Sequence, residues 1–133
     1  MNALDTTLAR TAISVGTARR LVNEHTSTLG PPQRDDAALM VSELVTNALV
    51  HGIGTISLRM DVETHAVRVE VSDEGNVALA PSPTPGAHGG WGLRIVDQLA
   101  DDWGVLKGST KVWFRIGQRK PNAHRARTNR SPR

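Results

Sequence analysis

Val41-Ser42-Glu43-Leu44-Val45-Thr46-Asn47-Ala48-Leu49-Val50-His51-Gly52 decides the fold, because two sets of residues in it repeat at helical spacing. Ala37, Val41, Leu44, Val45 and Ala48 form an apolar side, while Glu43, Asn47 and His51 follow one another by four along a second ridge. The apolar side packs a helix onto a core. The polar ridge has no such need: asparagine in a helix interior costs propensity, and no lysine stands three or four residues from Glu43 to pair with it. Two buried faces are expected, one on the core and one presenting a carboxylate, an amide and an imidazole to something else.

This helix is expected from near Gln33 to the His51–Gly52 boundary, with Asp35 and Asp36 close to its positive end. Before it, Ser14 reads as the N-cap of a first amphipathic helix with Val15, Ala18, Leu21 and Val22 on one face, ended by Gly30-Pro31-Pro32. Arg19 and Arg20 on its outer side read most simply as a solvated basic surface, with docking of a protein partner as the alternative. Met1–Ile13 is weakly patterned and fits a short edge strand.

After Gly52 the period changes to two. Ile56, Leu58, Met60 and Val62 alternate with polar residues, as do Val67, Val69 and Val71, which predicts a hairpin turning at Glu63-Thr64-His65. One further step of the same parity puts Asp73 on the apolar side as the strand ends at Gly75. A carboxylate there needs a donor, either turn amides or a ligand. Gly75–Gly90, with its prolines and glycines, can be neither helix nor central strand, and loops of that length in small domains are lids, binding loops or disordered segments. It closes with Gly89-Gly90-Trp91-Gly92-Leu93 and a helical run sharing Leu93, Val96, Leu99 and Ala100 on one face. A glycine-rich approach to a helix start exposes amides to an anion. Two more strands, Asp102–Leu106 and Lys111–Ile116, complete the pattern, and the stretch after Gly117 reads as a disordered tail.

Composition bounds the function. The 133 residues suit one domain, placed at residues 1–117, followed by a basic tail at 118–133. Six of the sixteen Lys/Arg lie in that tail with no acid, so the domain itself holds ten against thirteen acidic residues, a net of −3. Direct nucleic-acid binding by the folded domain is not expected. The absence of cysteine excludes disulfides and thiolate chemistry and suits a reducing compartment; no membrane span or signal pattern is legible, so the cytoplasm is the expected location.

The polar residues together ask for one ligand with several parts. Asp73 can accept from an exocyclic amine, the glycine turn can hold phosphates, and the Asn47 side-chain oxygen can serve a hydrated Mg2+. Those are the parts of a magnesium–ATP site, and Glu43, one turn before Asn47, would then lie near the terminal phosphate to orient or deprotonate an attacking hydroxyl.

Glu43-x-x-x-Asn47-Ala48, Asp73-x-Gly75 and Gly90-x-Gly92-Leu93, in this order around a long loop, resemble the asparagine box and the two glycine boxes of the GHKL (Bergerat-fold) ATPases. Within that family, Ser42-Glu-Leu-Val-Thr-Asn-Ala48 and Gly92-Leu-Arg-Ile-Val96 are similar to the short bacterial anti-sigma-factor serine/threonine kinases and their regulatory ATP-binding relatives. The resemblance spans about Ser14 to Ile116. It implies an α/β (α+β two-layer) sandwich, with helices on one face of a mixed, mainly antiparallel sheet and ATP under a lid. It further implies Glu43 as catalytic residue; Asn47, Asp73, Gly75, Gly89, Gly90, Gly92, Leu93 and Thr110 as ATP-binding residues; and Asn47 as the Mg2+ ligand. The implied partners are a sigma factor and an anti-sigma antagonist, and the resemblance leaves room for a homodimer. Val77 stands where a second glycine often stands, and Ser109-Thr110-Lys111 departs from the usual Lys-Thr order, which bears on Thr110. Larger members of the fold carry further domains that this length does not accommodate. Two functions fit: a kinase phosphorylating the antagonist, or a nucleotide-gated protein-binding module with little or no phosphotransfer.

Overall fold

A computed structural model describes residues 2–75, 93–106 and 109–117. Among these residues five strands and three helices run in the order β1 (Asn2–Leu8), α1 (Ile13–His25), α2 (Pro31–His51), β2 (Ile56–Val62), β3 (Ala66–Ser72), α3 (Leu93–Leu99), β4 (Asp102–Val105) and β5 (Val112–Gly117). The strands lie side by side as β1-β2-β3-β5-β4. Every described pairing is antiparallel, so the sheet shows no parallel pair where a mixed one was expected. The hairpin turns as its alternation predicts, with Val62 opposite Val67 and the Glu63 amide donating to the Ala66 carbonyl at 2.8 Å.

The two-residue period sorts the sheet into faces. Ile56, Leu58 and Met60 of β2, Val67, Val69 and Val71 of β3, Trp103 of β4, and Val112, Phe114 and Ile116 of β5 are all buried in one core. Ala18 and Val22 of α1, Ala37, Met40, Val41, Leu44, Val45 and Ala48 of α2, and Leu93 and Val96 of α3 close that core from the helical side. The result is a two-layer α+β sandwich. Each aliphatic or aromatic side chain removed from water there contributes roughly 1.5–3 kcal/mol, so α2, which supplies the most, is the element on which the helical layer assembles. The Trp103 indole also donates to Asp97 at 2.9 Å, which satisfies the one polar atom it brings into the core.

The opposite face carries charge. Arg59 lies 3.9 Å from Asp5 and 3.4 Å from Asp61, Glu70 pairs with Arg68 and with Lys111 at 3.5 Å, and Arg115 reaches Glu63 at 3.0 Å. Arg68 stacks over Trp113, 4.7 Å from the ring centroid, and its burial there lowers the guanidinium pKa.

Two helix boundaries differ from the sequence reading. Ser14 is not an N-cap: α1 begins at Ile13 after Ala12, and the Ser14 hydroxyl donates instead to the Ala9 carbonyl at 2.6 Å. The tight start, with Ser14 and Val15 amides donating to Thr11 and Ala12, leaves that hydroxyl inside the first turn. Nor does Gly30-Pro31-Pro32 end α1. The helix stops at Thr26, whose hydroxyl donates back to the Val22 carbonyl at 2.7 Å, and Gly30 is the N-cap of α2 with Pro31 in its first turn. Proline there loses only an amide that the helix would leave unpaired. Asp35 and Asp36 consequently fall one turn inside α2 rather than at its start. No helix among the described residues is long and apolar enough to cross a membrane.

Candidate functional site

The C-terminal half of α2 packs across the ends of β3 and β5, and a cleft opens where they meet. Leu44, Asn47, Ala48, His51 and Gly52 form one wall; Val71, Asp73, Thr110 and Val112 form the other. Strand parity explains the second wall: Asp73 follows Val71 by two at the end of β3, and Thr110 precedes Val112 by two at the start of β5.

Asn47 is buried, at 9% exposure, and its Nδ2 has no hydrogen-bond partner among the described residues. A buried donor left unpaired costs on the order of 1–3 kcal/mol, a cost that a ligand acceptor in the cleft removes. Its neighbours along the ridge divide. His51 lines the same cleft, whereas Glu43, half-buried one turn earlier, is not part of its walls and has no ion pair among the described residues.

Of the two kinds of donor expected for Asp73, the structure shows the turn amides. Oδ1 accepts from the Gly75 amide at 2.6 Å and faces the Ile53 amide at 3.5 Å, as in a turn aspartate. Oδ2 lies against Gly52, so close that a Cβ built there would stand 2.3 Å from it. Thr110 fixes the backbone beneath: its hydroxyl accepts from the Asp73 amide at 3.3 Å and donates to the Asp73 carbonyl at 3.2 Å. That hydroxyl proton is committed to the protein, so Thr110 serves the cleft by holding Asp73. Gly75 is similarly constrained, since a Cβ would meet Asp73 Oδ1 at 2.8 Å.

Leu93 begins α3 with its side chain wholly in the core. Gly89, Gly90 and Gly92, most of the Gly75–Gly90 connection, Lys107-Gly108 and the tail 118–133 lie outside the described residues. Sequence reasoning did not name Leu44, Ala48, Val71 and Val112 as cleft walls. The signal for them was adjacency: each stands one to three residues from Asn47, Asp73 or Thr110 on the element that carries it.

The family model for the histidine kinase-like ATPase domain matches residues 8–116. The chain belongs to this family. The match runs from the end of β1 through β5 and so contains the whole cleft. No curated protein matches the chain. Membership implies ATP as ligand, and the cleft's groups agree with it: the Asp73 Oδ2 as an acceptor, an Asn47 Nδ2 donor with no partner among the described residues, and aliphatic walls between them. In this histidine kinase-like ATPase domain the cleft's polar side chains come from different elements, with Asn47 and His51 on α2, Asp73 just after β3 and Thr110 just before β5.

Beside the cleft, Glu74 closes the turn before β2 by accepting from the Thr55 amide, opposite Gly54 in its left-handed conformation (φ +71). That backbone hydrogen bond holds the Glu74 carboxyl below the usual glutamate value of about 4.3. A depressed folded-state value contributes stability above the unfolded value and loses it as pH falls through the folded one. The Thr55 amide resonance is therefore expected to titrate on the acid side of pH ~4.3, and Glu74→Gln to abolish that titration. A Thr55 amide that follows the same acid titration in the Gln variant would assign it to another carboxyl.

Proposed function

We propose that the protein is a Mg2+–ATP-binding regulator that phosphorylates a serine or threonine of an anti-sigma antagonist and holds a sigma factor. The observation that carries the nucleotide part is Asn47: a buried amide whose Nδ2 has no partner among the described residues, across a cleft from Asp73, is what a ligand with a hydrogen-bonding base and charged phosphates would complete. In this reading Asp73 Oδ2 accepts from the adenine amine, Asn47 offers its oxygen to hydrated Mg2+, and Gly89, Gly90, Gly92 and the Leu93 amide receive phosphate oxygens. Bound Mg2+–ATP supplies an electrophilic terminal phosphoryl group. Glu43 orients the protein hydroxyl and takes its proton, a role suited to a half-buried carboxylate without a cationic partner among the described residues.

The partners rest on the similarity of Ser42–Ala48 and Gly92–Val96 to the anti-sigma kinases, and a cytoplasmic location goes with them. Arg19 and Arg20 of α1, with Arg34 and Asn23, border a basic groove suited to an acidic partner surface, although Arg20 also lies 3.9 Å from Glu24 on the same helix. One observation favours the second reading, a nucleotide-gated binding module: Glu43 stands outside the cleft walls. Incubation with ATP labelled at the terminal phosphate and candidate antagonists tests the choice. Label on an antagonist serine or threonine is expected; ATP binding with no labelled product would make the protein a module.

A further inference from the structure

We propose that Arg10, which lies outside the cleft, is a positioning residue for it, acting through the turn that joins α2 to β2. The last carbonyls of a helix have no partner within it and form its negative end. Arg10, in the connection between β1 and α1, supplies what that end lacks: Nη2 donates to the Leu49 carbonyl at 2.7 Å and the Gly52 carbonyl at 2.5 Å, and Nη1 to the Gly54 carbonyl at 3.4 Å. Among the described residues no carboxylate pairs with Arg10, so its charge is spent on this turn.

The same turn forms part of the cleft. Gly52 lines it and lies directly against Asp73 Oδ2, while the next residues are tied from the other side by the Glu74 amide donating to Ile53 at 2.9 Å and by the Thr55 amide donating to Glu74. The backbone from Leu49 to Gly54 is thus held between a cation on one side and the Asp73-Glu74 pair on the other. Arg10 sets how closely the Gly52 wall approaches the Asp73 carboxylate, and so the width of the cleft at the base-recognition end. A planar fork that reaches three carbonyls does this; a lysine, with a compact head, keeps the charge but not the span.

The inference rests on the nucleotide reading of the cleft, and its first readout does not. Amide hydrogen exchange on the ligand-free full chain, comparing wild type with Arg10→Ala and Arg10→Lys, reads the turn directly. Gly52, whose amide donates to the Ala48 carbonyl, and Ile53 are expected to exchange roughly tenfold faster in Arg10→Ala, with Val69 in the central strand unchanged and Arg10→Lys in between. Calorimetry with adenosine and with Mg2+–ATP is then expected to show the same loss for both ligands, about tenfold, because the displaced wall borders the base and not the phosphates. Unchanged exchange at Gly52 and Ile53 would overturn the inference, as would faster exchange with wild-type affinity. Loss of ATP binding with adenosine binding intact would also overturn it, by placing the effect at the phosphates. Wild type binding neither ligand would sink the nucleotide reading and this inference together, and the exchange arm would still separate that failure from the absence of the pin.

Discussion

Asp73→Ala is expected to weaken ATP binding by about a hundredfold while the protein remains folded. A hydrogen bond to a charged group contributes roughly 1.5–3 kcal/mol, and a tenfold change in affinity corresponds to about 1.4 kcal/mol, so loss of the Oδ2 acceptor alone accounts for most of this. The remainder comes from the turn, because Oδ1 no longer accepts from the Gly75 amide at 2.6 Å. Asp73→Asn separates the two roles. It keeps an oxygen for Gly75 and turns the other position into a donor, which meets the donor of an exocyclic amine. Calorimetry is expected to find both variants weak, and thermal unfolding to find the Asn variant the more stable. An Asp73→Asn protein with wild-type ATP affinity would reduce Asp73 to a turn residue.

The second large effect separates catalysis from binding. Glu43→Ala is expected to lower phosphotransfer to the antagonist by roughly a hundredfold or more, the scale for losing a general base, with ATP affinity almost unchanged. The structure motivates the split: Glu43 is half-buried on the Asn47 ridge yet outside the cleft walls, so its removal leaves the nucleotide's surroundings intact. Single-turnover transfer and equilibrium binding on the same preparation check it. A variant that transfers at the wild-type rate would remove Glu43 from the chemistry, and one that no longer binds ATP would make it structural.

How much of this was legible in the sequence follows from the range of each interaction. Asn47, His51 and the apolar side of α2 are related by helical spacing, and Asp73 is related to Val71 by strand parity; both are local periodicities, and the structure places Leu44, Asn47, Ala48, His51, Val71 and Asp73 around one cleft. The hairpin of β2 and β3 was legible for the same reason. The pairing of β3 with β5 was not, because α3 and β4 intervene and alternation within a strand does not name its neighbour. Ser14 and Pro31 misled because capping preferences describe single positions, and a proline after a glycine can close one helix or open the next. Arg10 left no trace at all: its acceptors are backbone carbonyls 39 to 44 residues away, and carbonyls have no sequence identity.

If the α2–β3–β5 cleft is a magnesium-dependent ATP site, titration of the folded wild-type protein with ATP, with Mg2+ and then with Mg2+ chelated, reads that dependence at once. Saturable binding at one site per chain that weakens on chelation is expected, with the dependence on Mg2+ lost in Asn47→Ala. Folded protein that shows no saturable heat with ATP and Mg2+ present would contradict it.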